Sequence, residues 1–198
     1  MPIYKGSTLY FDTSGFINTT SVVQAVEERL KLEDIKTVVV PTTTGKTAQM
    51  FISRLGENME IVTVSEDEVV TTCKRISHSD QSLFGRLVRS RLEEEVERSH
   101  ILEAFDMTFL PFCGENWTPA KEILYAFGQG MKVAVEVSIA AVEIKKVKPY
   151  TKIIAIGGTG EGADTAIVVR TSTQKEAFGK DAKKRLFIQE IVAKPKQE

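Results

Sequence analysis

Two stretches of the sequence combine residue types at spacings that could do chemistry. The first is Thr42-Thr43-Thr44-Gly45-Lys46-Thr47, which follows the β-branched run Thr37-Val38-Val39-Val40 and precedes a segment with helical periodicity. The first N–H groups of a helix have no partner inside it, and the helix dipole adds positive potential there. An anion at that point gains on the order of 1–2 kcal/mol from the dipole, besides charge-assisted hydrogen bonds. Gly45 lets the backbone come close, and Lys46 supplies countercharge. One threonine would be enough to cap the helix; four around a Gly-Lys pair exceed that need, so the loop reads as a phosphate site. Gly45-Lys46-Thr47 also matches the end of a nucleotide P-loop. That motif requires a glycine where this chain has Val40, so an ATPase or GTPase is not expected.

The second stretch is Gly157-Gly158-Thr159-Gly160-Glu161-Gly162-Ala163-Asp164-Thr165. Gly158, Gly160 and Ala163 fit a GxGxxA spacing, but a dinucleotide fingerprint must open a helix. Here Thr165-Ala166-Ile167-Val168-Val169-Arg170 follows and reads as a strand, so a Rossmann site is not expected. Four glycines between two strands are more than a hairpin needs. They suit a loop folded closely over a ligand, with backbone N–H groups free to bond it; the plain alternative is a flexible hairpin.

No catalytic set stands out beside these loops, and the reaction, if there is one, stays unassigned. Glu136 lies in an apolar segment and reads either as a buried functional carboxylate or as a solvent-facing one. Asp164 could bond a ligand hydroxyl or cap its own turn. His100 reads as a packed helix-end histidine rather than a base. His78 and His100 lack metal-ligand spacing, and neither Cys73 nor Cys113 has a second cysteine at CxxC spacing. No metal is expected.

The elements that must position the loops follow from periodicity. Residues 8–11 look like a first strand. Asn18-Thr19-Thr20-Ser21 offers helix caps, with Ser21 and Gln24 at capping-box spacing, and Val22, Val26 and Leu30 form one apolar face. A buried strand at 37–40, a helix over 45–56 with Ala48, Phe51, Ile52 and Leu55 on one side, and a strand at 60–64 follow. This β-α-β-α-β order implies a parallel sheet. Residues 66–82 look like a polar loop, Phe84 to Val96 a strong helix, and 106–112 a short strand or irregular segment. Thr118-Pro119 is a clean helix start, with Gly128 and Gly130 as its end. Residues 131–145 alternate like a strand at Val133, Val135, Val137 and Ile139, but the length of the run and its alanines favour a buried helix. Strands are expected at 152–156, 165–170 and 187–192. The last two lack a convincing helix between them, which makes an antiparallel C-terminal edge, and residues 193–198 read as a frayed tail. The fold class expected is α/β: one domain over residues 1–198, a three-layer open, mostly parallel sheet with helices on both faces.

The bulk properties agree. The chain has 198 residues, enough for one well-buried core and short for two domains. The 26 basic and 27 acidic residues nearly cancel, so there is no basic stripe to neutralise a nucleic-acid backbone. No apolar stretch approaches the roughly 20 residues that span a bilayer. No secretory signal is apparent, and the cysteines read as reduced thiols of a cytoplasmic protein.

With both loops in view, the chain resembles the C-terminal α/β domain of pyruvate kinase. Val38-Val39-Val40-Pro41-Thr42-Thr43-Thr44-Gly45-Lys46-Thr47-Ala48 is similar to that domain's strand, hydroxyl-Gly-basic-hydroxyl turn and helix, and Gly158 through Arg170 to its late glycine-rich loop and strand. A closer resemblance is to a family of stand-alone prokaryotic proteins described as pyruvate kinase α/β-domain-like. It rests on Ser99-His100-Ile101-Leu102, on Gly130-Met131-Lys132-Val133-Ala134-Val135-Glu136, on Gly157-Gly158 with Gly162-Ala163-Asp164-Thr165-Ala166, and on Asn18-Thr19. Segments 66–82 and 103–117 depart from the pattern. The resemblance implies no kinase activity, since the catalytic barrel is absent, and a phosphate loop kept for another ligand, flavin mononucleotide (FMN) in the stand-alone family. The cofactor-binding set it implies is Asn18, Thr42, Thr43, Thr44, Gly45, Lys46, Thr47, Gly157, Gly158, Thr159, Gly160, Gly162, Ala163, Asp164 and Thr165. The expected partner is thus a phosphorylated small molecule, with nucleic acid and membrane not expected. Two alternatives stay open: a non-catalytic sugar-phosphate sensor, and a structural or oligomerisation module using the Phe84 to Val96 helix to build a homo-oligomer.

Overall fold

The computed structural model describes residues 6–32, 35–56, 59–65 and 117–197. The loop expected at 66–82, the helix from Phe84, the segment 106–112, and Cys73, His78, His100 and Cys113 lie outside the described residues. In chain order the elements are β1 (Leu9–Phe11), a 3-10 turn (Phe16–Asn18), α1 (Thr19–Leu30), β2 (Thr37–Pro41), α2 (Lys46–Leu55), β3 (Glu60–Val64), α3 (Trp117–Tyr125), α4 (Gln129–Glu143), β4 (Lys152–Gly157), β5 (Thr165–Arg170) and β6 (Phe187–Pro195).

The strands form one six-stranded sheet in the order β1-β6-β5-β4-β2-β3. β2 pairs parallel with β3 and β4, and β1 pairs parallel with β6; β5 is antiparallel to both β4 and β6. The sheet is therefore mostly parallel. The antiparallel strand is internal, and the edge beside β6 is β1 rather than the C-terminal strand. That is also why the tail is not frayed through its first residues: Leu9, Tyr10 and Phe11 pair with Ala193, Lys194 and Pro195.

Alternation across the pleat builds a core on each face. Val38 and Val40 of β2 and Ile154 and Ile156 of β4 join Val22, Val26, Ala48 and Phe51 of α1 and α2. Val39, Ile153 and Ala155 point the other way, into a core with Val135, Ile139 and Val142 of α4. The helices thus cover both faces. In α4 every residue from Gly130 to Val142 is buried, so its sequence shows no polar face. Its strand-like alternation is a by-product of all-round burial.

Three local expectations need correction. α1 begins at Thr19, with Asn18 at the N-cap position, so Ser21 lies inside the first turn and forms no capping box. The Asn18 amide is used elsewhere, donating to the Thr13 carbonyl at 2.7 Å. Gly130 does not end α3 but sits in the first turn of α4, whose N-cap is Gly128 at φ 104°.

Gly130 and Gly157 mark where α4 touches the sheet end. A Cβ on Gly157 would fall 1.9 Å from the Gly130 carbonyl oxygen and 2.8 Å from the Ala134 nitrogen, both backbone atoms. Gly157→Ala should therefore destabilise the fold by about 3 kcal/mol, the upper part of the range for overpacking, and lower the melting temperature by roughly 6–12 °C for a chain this size. Gly160→Ala is the control. Gly160 has φ +72° but nothing within 4 Å of the added carbon, so its cost is about 1–2 kcal/mol. Equal melting temperatures for the two variants would refute the close approach.

The connection between β5 and β6 has no helix and is tied down by polar groups at the sheet end away from Gly157. Glu176 accepts from the hydroxyls of Tyr150 and Thr173 and from Lys184. These donors, the Tyr150 hydroxyl first, hold its carboxyl at about 2, well below the usual 4.5. A depressed folded-state pKa contributes stability that is present above the unfolded value and lost as pH falls through the folded one. The melting temperature of Glu176→Gln should therefore fall less than the parent's between about pH 4.5 and pH 2. The group is exposed to solvent, so salt should shrink the difference. Parallel curves for the two proteins would contradict it.

Candidate functional site

The two loops singled out by sequence line one cleft of about 710 Å3. Thr42 to Thr47 contribute to its lining from the first loop, and Gly158, Gly160, Glu161 and Gly162 from the second. The cleft lies at the carboxyl ends of the parallel neighbours β2 and β4. β2 continues toward β3 on one side, and β4 turns through the glycine loop into β5 on the other. Ligands of open α/β sheets bind where connections diverge in this way.

Residues from the first turns of three helices line this cleft: Thr19 and Thr20 of α1, Lys46 and Thr47 of α2, and Gln129 of α4. Positive dipole ends therefore converge on it. They are not equally open. Against α4 the protein sets its own anion. Asp164 is fully buried, and a Cβ on Gly130 would lie 2.3 Å from its Oδ1. Asp164 Oδ2 accepts from the N–H groups of Gly15 (2.9 Å) and Thr159 (3.0 Å), and Oδ1 from the Thr165 hydroxyl (2.8 Å). At α1, the Thr19 hydroxyl donates to the Phe16 carbonyl (2.7 Å) and accepts from the Ala163 N–H (3.0 Å).

The first turn of α2 is different. Gly45 precedes it at φ 82°, a left-handed conformation that favours glycine. Its N–H donates to the Thr42 hydroxyl (2.9 Å), which folds the loop onto itself. The first backbone bond of the helix runs from the Gln49 N–H to the Gly45 carbonyl (2.9 Å). The N–H groups of Lys46, Thr47 and Ala48 lie ahead of it and have no protein acceptor among the described residues. Thr43, Thr44 and Lys46 are exposed around them. The arrangement can take an anion with backbone donors, hydroxyls and one ammonium group.

The other expected site residues stand behind this surface. Asn18, Gly157, Thr159, Ala163, Asp164 and Thr165 are not on the cleft lining. Asp164 and Ala163 pin the glycine loop through the bonds given above. Glu136 is not on the cleft either. It is fully buried and its carboxylate lies 3.0 Å from the Lys132 ammonium, equally buried.

Sequence reasoning missed the apolar part of the site. Phe16 and Ile17, 71% and 73% exposed, stand on the 3-10 turn at the rim, and Met50 and Val133 add further apolar lining. The one signal in the sequence was a pair of apolar residues between Gly15 and the helix cap, which by itself indicates no ligand. Glu161 is the one carboxylate on the lining among the described residues.

The fold and cleft define a class: an α/β domain with a mostly parallel sheet and a ligand-sized hollow at its carboxyl edge, open to an anion at one helix start. No protein-family model matches the chain. Among the described residues, no helix is long and apolar enough to cross a membrane.

Proposed function

We propose that the cleft binds a small phosphorylated ligand, with FMN the one favoured, and that the chain has no pyruvate kinase activity. The observation that carries this reading is the meeting of two sequence-distant loops on the lining of one cleft. The phosphate is assigned to the first turn of α2, where backbone donors lack acceptors among the described residues. The flat ring system is assigned to the glycine loop, where Gly158, Gly160 and Gly162 present backbone to the cleft, with Phe16, Ile17 and Met50 as the apolar rim. The volume lies within the roughly 300–1,000 Å3 of small-molecule sites. The resemblance to the pyruvate kinase C-terminal domain supports the same assignment and belongs to the proposal.

A non-catalytic sugar-phosphate sensor is the second reading, favoured by Gln129 and Glu161, which offer hydrogen bonds to sugar hydroxyls on the same lining. The deciding experiment is a flavin absorbance spectrum of the purified protein, followed by fluorescence titration with FMN. A colourless protein that leaves FMN fluorescence unchanged would end the flavin reading. A thermal shift with fructose phosphates but not with FMN would install the second.

A further inference from the structure

The near balance of charge over the whole chain conceals a segregation. Residues 145–152 and 170–185 hold ten of the 26 basic residues and two of the 27 acidic ones. The fold brings these two segments together. The Thr171 hydroxyl donates to the Lys148 carbonyl (2.9 Å), and the Tyr150 N–H to the Thr171 carbonyl (3.0 Å). The Arg170 guanidinium donates to the carbonyls of Ala182 (2.6 Å) and Arg185 (3.0 Å). They meet where β4 begins and β5 ends, at the end of the sheet away from the cleft. Lys145, Lys148, Lys175, Lys180, Lys183 and Arg185 are exposed there, and none is ion-paired among the described residues. The carboxylates of this end are engaged within it. Glu176 is held by Tyr150, Thr173 and Lys184, Glu143 accepts from the Gln174 N–H (2.7 Å), and Asp181 accepts from the Lys183 N–H (2.9 Å). Like charges gathered in this way repel one another, a cost that an anionic partner removes.

Aromatic rings stand among these cations: Tyr150, Phe178 and Phe187 are all exposed. Tyr150 holds φ 62°, a left-handed conformation that a bulky residue rarely adopts, and bonds from its N–H and its hydroxyl fix it there. The Arg170 guanidinium lies over the Phe187 ring, 5.9 Å from its centre.

We propose that this end of the sheet binds single-stranded nucleic acid, the cations following its phosphates and the rings stacking on its bases. Surfaces that bind single strands combine those two features. A duplex would engage the cations and leave the rings idle, since its bases are already stacked. A lipid surface would need rings that sink into hydrocarbon, and here the Tyr150 hydroxyl is bonded to Glu176 and a guanidinium covers Phe187. The cleft and its ligand lie at the other end of the sheet, so the two proposals stand or fall separately.

Fluorescence anisotropy with a labelled polyuridine strand of about 12 nucleotides tests this on the full chain. The strand should bind, with log affinity falling linearly against log salt. Replacing Lys148, Lys180 and Lys183 together by glutamine should reduce that slope by about 2, at about 0.7 per phosphate. Tyr150→Leu should weaken binding about fivefold or more. Tyr150→Phe loses the same hydroxyl bond but keeps the ring, and should bind more tightly than Tyr150→Leu by that factor. No binding at low salt, equal binding of a duplex of the same length or of polyglutamate, or equal affinities for the two Tyr150 variants would overturn the proposal. So would capture by anionic vesicles that polyuridine does not compete away, which would assign the face to a lipid surface.

Discussion

Replacing Thr44 and Thr47 together by valine should weaken FMN binding by about 100-fold or more and leave the melting temperature nearly unchanged. Both residues line the cleft at the first turn of α2. A hydrogen bond to a charged group is worth roughly 1.5–3 kcal/mol, so two lost hydroxyls remove about 3 kcal/mol at least, and each 1.4 kcal/mol is tenfold. Thr42 is a poor choice for this test because its hydroxyl already accepts from the Gly45 N–H, and its loss would disturb the loop itself. Lys46→Ala should cost about tenfold or less, since an exposed ammonium works through a screened charge. Fluorescence titration of the double variant decides the matter. Parent-like affinity would mean that the anion, if one binds, lies elsewhere.

The elements that hold this loop were largely legible in the sequence, for identifiable physical reasons. Val38-Val39-Val40 lies between two cores, so the strand carries no polar face and reads as a buried run. The start of α2 shows through its threonines and Gly45, whose left-handed backbone favours that residue type. Pairing was less legible. β1 lies beside β6, across the sheet from β2, although it precedes β2 in the chain. A strand of three residues states its burial but not its neighbour. Burial also hid the role of Asp164. Its type suggested either a ligand contact or a turn cap, and only the structure shows three donors converging on its carboxylate. Phe16 and Ile17 escaped notice for the opposite reason: an exposed apolar pair gains meaning only beside a cleft.

The buried ion pair of α4 yields the second large effect. Lys132 and Glu136 are both fully buried, one turn apart, with the ammonium 3.0 Å from the carboxylate and 5.6 Å from the centre of the Tyr125 ring. Removing two charges from water costs several kcal/mol each, which their attraction only partly returns. Glu136→Leu alone should therefore destabilise the fold by about 3–5 kcal/mol, because it leaves an ammonium in the interior. Lys132→Met combined with Glu136→Leu should recover most of that loss, or exceed the parent, since Met and Leu suit an apolar interior of similar volume. Urea unfolding of the parent, both single variants and the double variant closes the cycle. If the double variant is as unstable as Glu136→Leu, the pair's net contribution is favourable and the desolvation argument fails here. If it is stable, its ligand affinity becomes the informative measurement. Gln129 and Val133 of the same helix line the cleft, so a stable double variant with weakened binding would show that the pair sets the orientation of α4 against the site rather than the stability of the fold.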